Sequence, residues 1–219
     1  MQPRALVSTL VPAILLVAYV LFADTGDWGT RVFVTGSLTM WVLRNRYDHT
    51  RNGPLAETRI DITEKLVLLA AAMGVMVLPW VTIFWPWPPQ WVAPASPATA
   101  IAGAIIFLIA DLLFWRSHAD LGRQWSPTLE IKQDHALITR GVYRWVRHPM
   151  YAAMWLMAIA QALLLPHWAG ALSGLIGFGA VYVTRINREE AMMRDLFGRA
   201  WDEYVRRTGR LMPRWRGSA

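Results

Sequence analysis

The chain has 219 residues, 55% of them apolar and only 17% charged, with 13 Trp and no Cys. The absence of cysteine excludes disulfides, thiolate nucleophiles and cysteine metal sites. The net charge of +7 does not mark a nucleic-acid binder: the apolar residues gather into runs near bilayer length, and in such a chain basic residues chiefly record topology.

The expectation is an all-α integral membrane protein of about six transmembrane helices. The first apolar run, residues 5–23, follows Arg4 but ends on a poor cleavage site and is read as a retained helix. A polar turn at 24–27 leads to a second, short run at 28–43, which carries Arg31 and would span only with tilt or local thinning. Residues 44–65 are polar, with a turn signal at Asn52-Gly53-Pro54. The third run, 66–85, stops at Pro86-Trp87-Pro88-Pro89, because proline cannot continue the hydrogen-bond ladder. The fourth, 98–115, contains Asp111. Asp111, Trp115 and His118 share one face of it at helical spacing.

Residues 116–147 are polar. Within them, 128–131 and 136–139 flank a turn at 132–135, which predicts a small β-hairpin. A fifth run, 149–165, opens on Pro149, well suited to a first helical turn. After the Pro166-His167 turn a sixth run, 168–184, brings the chain back. Gly170, Gly174 and Gly177 make a smooth strip on this run for close helix packing, and Gln161 on the fifth reads as an interhelical hydrogen bond. Those glycines lack the G-x-G-x-x-G order and no strand precedes them, so a dinucleotide site is not indicated. Residues 188–207 predict a C-terminal amphipathic helix in which Leu196, Phe197, Trp201 and Tyr204 recur at helical spacing. With six spans, every Lys and Arg except Arg31 falls on one side, which the positive-inside rule assigns to the cytosol together with both termini.

Two polar clusters bracket the last hairpin. His148-Pro149 opens the fifth run, so Arg147 and His148 stand at the positive end of a helix, where a cation is unfavoured unless an anion joins it. Glu189 and Glu190 follow the sixth run, and Arg185 lies four residues before Glu189, on the same helix face. Arg185 is thus either the salt-bridge partner of Glu189 or a second charge aimed into a common pocket. The five His are dispersed without metal-ligand spacing, and no metal site is expected.

The run H-A-L-I-T-R-G-V-Y-R-W-V-R-H-P-M-Y at 135–151, followed by R-I-N-R-E-E at 185–190, resembles the isoprenylcysteine carboxyl methyltransferase family, within a wider group that includes phospholipid N-methyltransferases. The tail F-G-R-A-W-D-E-Y-V-R-R-T-G-R-L-M-P at 197–213 resembles that family's end. The resemblance implies S-adenosyl-L-methionine as methyl donor. It implies a cofactor pocket lined by His135, Ala136, Leu137, Ile138, Tyr143, His148, Pro149, Met150, Tyr151 and Glu189. It also implies Arg185 facing the substrate, with Glu190 and Arg147 completing the catalytic motifs. Residues 1–115 would be membrane helices, and 116–219 the cofactor and catalytic region. The expected partners are the bilayer and a lipophilic methyl acceptor, most simply an isoprenylcysteine-like carboxylate. Open alternatives are lipid N- or S-methylation, a non-catalytic lipid-binding protein, and a reductase on a related scaffold.

Overall fold

The computed structural model describes Tyr19 and residues 27–48, 55–58, 61–85, 88–92, 96–124, 130–132 and 136–214. Apart from Tyr19, the first expected span lies outside the described residues. The described chain is helical except for one short ribbon.

Helix α1 (Trp28–Asp48) begins where Asp27 caps it, accepting from Gly29 N at 3.1 Å and from Thr30 N at 2.9 Å. It continues five residues beyond the predicted end at 43, because Arg44, Asn45 and Arg46 are compatible with a helix. Helix α2 (Ile62–Phe84) is capped by Asp61, which accepts from Glu64 N at 2.8 Å. Midway, Met73–Val77 forms a π turn. Pro79 follows it and brings no N–H, and the widened turn accommodates the ring. Helix α3 (Pro97–Leu121) opens on a reciprocal Ser96–Thr99 capping box and ends at Gly122, whose φ is 56°.

The predicted hairpin does not form. Strand β1 (Leu55–Thr58) pairs antiparallel with β2 (Glu130–Lys132), while 136–139 is neither strand nor helix. A strand does form at 130–132, with 128–129 outside the described residues, but its partner comes from a loop some seventy residues earlier.

Helices α4 (Pro149–Leu164) and α5 (Trp168–Phe197) form the last hairpin. The amphipathic helix expected over 188–207 is divided differently. No breaker stands between Thr184 and Phe197, so α5 runs on unbroken, and Gly198 at φ 50° turns the chain into a separate α6 (Arg199–Arg207). On α6, Trp201 and Tyr204 are buried while Glu203, Arg206 and Arg207 face solvent.

Among the described residues three helices, α2, α3 and α5, are long and apolar enough to cross a membrane, and α4 is a shorter apolar helix of 16 residues. Large apolar side chains such as Leu66, Ile105, Leu108, Ile176 and Val183 lie exposed on their outer faces, as lipid contact requires. The protein is therefore a multi-pass integral membrane protein. At 1.5 Å per residue the 30-residue α5 is about 45 Å long, against a hydrocarbon core of about 30 Å, so its last turns project beyond the core.

In space the helices form a row, α2, α5, α4, α3, α1, which is not their chain order. Close approach of α2 and α5 depends on the glycine strip: a Cβ on Gly177 would stand 2.7 Å from the Ala70 carbonyl oxygen. The Gly74 carbonyl in the π turn accepts from Ser173 Oγ at 2.7 Å and from Gln161 Nε2 at 3.2 Å, and Gln161 also donates to the Gly170 carbonyl at 2.6 Å. The interhelical role expected of Gln161 is thus found, and it joins three helices. Further along the row, Phe33 of α1 meets Phe107 of α3 edge-on at 6.2 Å within the apolar core.

Candidate functional site

The projecting end of α5 meets the N-terminus of α4, and Glu190 is the hub of that junction. Its carboxylate accepts from Arg147 Nε at 2.8 Å, lies 3.1 Å from His148 Nε2, and takes both Nε and Nη2 of Arg210. The sequence posed a problem here, a cationic Arg147 beside His148 at the positive end of α4. The fold answers it with an internal anion. Glu190 is only 12% accessible and His148 6%, so water screens these charges weakly.

The same junction pins the C-terminal tail. Val146 and Gly209 form a parallel bridge, in which Arg147 N donates to the Gly209 carbonyl at 3.0 Å and His148 N to that of Arg210 at 3.1 Å. Arg147 Nη1 adds a bond of 2.7 Å to the Thr208 carbonyl. Below the bridge, Tyr143 is buried in a short turn at Gly141–Arg144. Its hydroxyl donates to the Ser117 carbonyl at 3.3 Å, and its own carbonyl accepts from Tyr204 Oη at 2.6 Å. Gly141, at φ 60°, passes so close to the Asp120 carboxylate that no side chain fits, and Asp120 accepts from Val142 N at 2.9 Å. Thus α3, the 141–148 loop, α6 and the tail lock together around α4's first turn.

One turn inward lies a second cluster. Arg185 is buried, with Nε 3.2 Å from Glu64 Oε1, an ion-pair partner contributed by α2. Glu189 carries a buried oxygen, Oε2, with no hydrogen-bond partner. Tyr151 lies in the combined field of Glu189, Arg185 and Glu64. Around it, α4 and α5 contribute an aromatic group: Tyr151 stands 5.6 Å from His148, 5.9 Å from Phe178 and 6.0 Å from Tyr182, and Trp155 stands 5.7 Å from Tyr182.

The predicted residues are therefore distributed as follows. Arg147, His148 and Glu190 touch. Pro149 and Met150 open α4 beside them, and Tyr151, Arg185 and Glu189 form the adjoining cluster. Tyr143 is a buried pillar behind the loop. Ala136 is exposed and Leu137 and Ile138 half-buried in irregular chain, while His135 lies outside the described residues. Asp111, Trp115 and His118 stay apart: His118 bonds the Phe114 carbonyl through Nδ1 at 2.9 Å, and Asp111 and Trp115 line a groove of about 650 Å³ between α1 and α3. None of the candidate cofactor residues lines that groove. Sequence reasoning missed Glu64, Arg210 and Asp120. Each sits in a charged stretch among similar residues, so composition could not single it out. Glu64 alone left a trace, as the residue three beyond an Asp cap.

A family model described as the isoprenylcysteine carboxyl methyltransferase family matches residues 103–195. A probable protein-S-isoprenylcysteine O-methyltransferase of Oryza sativa subsp. indica is 26% identical over 113 residues, 51% of this chain and 59% of the rice protein. The protein-S-isoprenylcysteine O-methyltransferase of Schizosaccharomyces pombe is 32% identical over 72 residues, 33% of this chain and 30% of the yeast protein. The chain thus spans less than two thirds of the length of these relatives. The solved structure of a eukaryotic intramembrane Ras methyltransferase superposes with a TM-score of 0.62 at 18% identity, covering 94% of this chain and 75% of that one, which establishes a shared fold. The family resemblance drawn from residues 135–151 and 185–190 is borne out where it was drawn.

Proposed function

From the family matched by residues 103–195, we propose that this chain is a membrane methyltransferase that uses S-adenosyl-L-methionine to methylate the carboxylate of an isoprenylcysteine-like, lipophilic acceptor. The observation that carries this reading is the unpartnered buried Oε2 of Glu189, whose carboxylate neighbours Tyr151, itself part of the aromatic group with Tyr182 and Trp155. A buried acceptor without a donor is costly unless a ligand supplies one, and aromatic faces favour a neighbouring cation. A group that bears hydroxyls, an ammonium and a sulfonium suits both. When bound, it supplies an electrophilic methyl carbon. Glu189 would hold its hydroxyls or amine, and His148, Pro149, Met150 and Tyr151 would form the wall contributed by α4. The 135–138 stretch and Tyr143 would complete the pocket within the 116–219 region.

Arg185 would orient the acceptor carboxylate, which is already ionised and needs no general base. Arg147 and Glu190 would act by holding the tail, α4 and α5 in register. The residues' main work is alignment of the two reactants away from water. The site and both termini would face the cytosol, with six spans in all, on the strength of the Lys and Arg asymmetry.

Isothermal titration of S-adenosylhomocysteine tests the cofactor assignment. His148→Ala and Glu189→Ala should each weaken binding about tenfold or more, the scale of one hydrogen bond to a charged group. Wild-type affinity in both folded variants refutes the site, and binding of NADPH instead would favour a reductase. One observation favours a second reading, methylation of a lipid amine: the charge of Arg185 is already opposed by Glu64, which lowers the penalty for an ammonium nearby. A radiolabelled methyl donor offered with prenylcysteine and with phosphatidylethanolamine decides between the acceptors.

A further inference from the structure

Outside the residues matched by the family model, α2 presents two acids to α5. Asp61 meets Arg188 at 2.9 Å, and Glu64, three residues on, meets Arg185 at 3.2 Å. Equal spacing on two antiparallel helices makes a ladder of two ion pairs. The outer pair is exposed to solvent. In the inner one the Glu64 side chain is 0% and that of Arg185 9% accessible. Neither Glu64 oxygen has a hydrogen-bond partner among the described residues, and the Arg185 guanidinium is its ion-pair partner. An ion pair so placed gives little net stability, and a well-packed apolar residue in its place is often neutral or stabilising. What the pair does supply is a direction and an opposing field.

We propose that Glu64 is a positioning residue for Arg185. It holds the guanidinium by its Nε edge, which sets the aim of the Nη edge. Its negative charge also loosens the grip of Arg185 on an anionic acceptor in the ground state. The acceptor oxygen loses negative charge as it takes the methyl group, so an anchor that grips the ground-state anion less tightly forfeits less on the way to the transition state. The proposal rests on the reading of Arg185 as the acceptor anchor.

The test uses the full chain in detergent micelles with S-farnesylcysteine, its amine acetylated, as acceptor probe and the matching carboxamide as an uncharged competitor. In Glu64→Gln, KM for the acid should fall about threefold or more as Arg185 loses its opposing charge, while kcat falls about tenfold or more as its aim is lost. S-adenosylhomocysteine affinity should stay within about threefold of wild type, a shift too small for loss of a cofactor contact. A merely structural role would lower the binding-competent fraction and leave KM unchanged, and that result overturns the proposal. If Glu64→Gln does not fold, Glu64→Asp decides. It keeps the charge but withdraws the carboxylate by one methylene, and kcat should drop about threefold or more with cofactor affinity intact. Wild-type kcat in Glu64→Asp overturns the assignment. The two readings fail differently. If the wild type does not methylate the acid, or binds acid and carboxamide equally, the anchor reading of Arg185 falls and takes Glu64 with it. If the wild type prefers the acid and the Glu64 variants keep wild-type KM and kcat, only Glu64 falls.

Discussion

Glu190 gathers Arg147, His148 and Arg210 on one carboxylate. Removing it leaves His148 and Arg147, both mostly buried, facing each other and the positive end of α4. Breaking a buried pair costs about 3–5 kcal/mol, and partial exposure at Arg210 reduces this, so Glu190→Ala should destabilise the protein by about 2 kcal/mol or more. The expected sign is a lowered thermal midpoint together with faster tryptic cleavage after Arg210 and Arg214. A wild-type midpoint and digestion pattern would remove the clamp. Arg185 behaves differently, because its partner is on another helix. Arg185→Lys keeps a cation opposite Glu64 but loses the planar fork. It should leave S-adenosylhomocysteine affinity within about threefold while methyl transfer falls about a hundredfold, or about 2.7 kcal/mol at the transition state. Parallel loss of cofactor binding and activity would mean that Arg185 serves the cofactor site and not the acceptor.

Among the elements, the α2–α5 contact is the one with least room. Its glycine strip, the π turn and the Gln161–Ser173–Gly74 network all serve one seam. Gly177→Val would push a branched side chain into the Ala70 carbonyl and the Gly74 backbone, where neither side can yield as a flexible side chain can. Overpacking of this kind costs about 1–3 kcal/mol. The expected outcome is a lower thermal midpoint in detergent, and separation of α2 from α5 should also part Glu64 from Arg185. Gly179→Ala, at a position whose nearest neighbour is the edge of Trp155 at 3.5 Å, is the matched control and should be tolerated. Equal midpoints for the two variants would show that the seam is not tight.

For the whole molecule, the row of helices brings the polar clusters of α2, α4, α5 and the tail to one end of the bundle. The turn at residues 88–92 carries no charge. Single cysteines placed at Gln90 and Ser218 in this cysteine-free chain can be probed in intact cells with an impermeant thiol reagent. Position 90 should label and position 218 should not, and the reverse pattern would invert the orientation. Both positions labelling would show an even number of crossings between them.

Much of this was legible from residues alone. Long apolar runs must become helices in lipid, since no other segment can satisfy its own backbone there, and the start of α4 follows from His148-Pro149, whereas α3 runs six residues past its expected end at 115. The small residues on α5 announced a close neighbour, and the motif at 147–151 with the acids at 189–190 marked the junction before its geometry was known. Local pattern could not say who meets whom. Glu190, not Glu189, takes Arg147 and His148, and Arg185 pairs with Glu64 of another helix. The strand at 130–132 pairs with 55–58 across the whole of α2 and α3 instead of with its sequence neighbour. Helix periodicity gives the face on which a charge sits. Only the packing of helices distant in the chain decides which opposite charge faces it there, because a buried ion must take the partner the fold delivers.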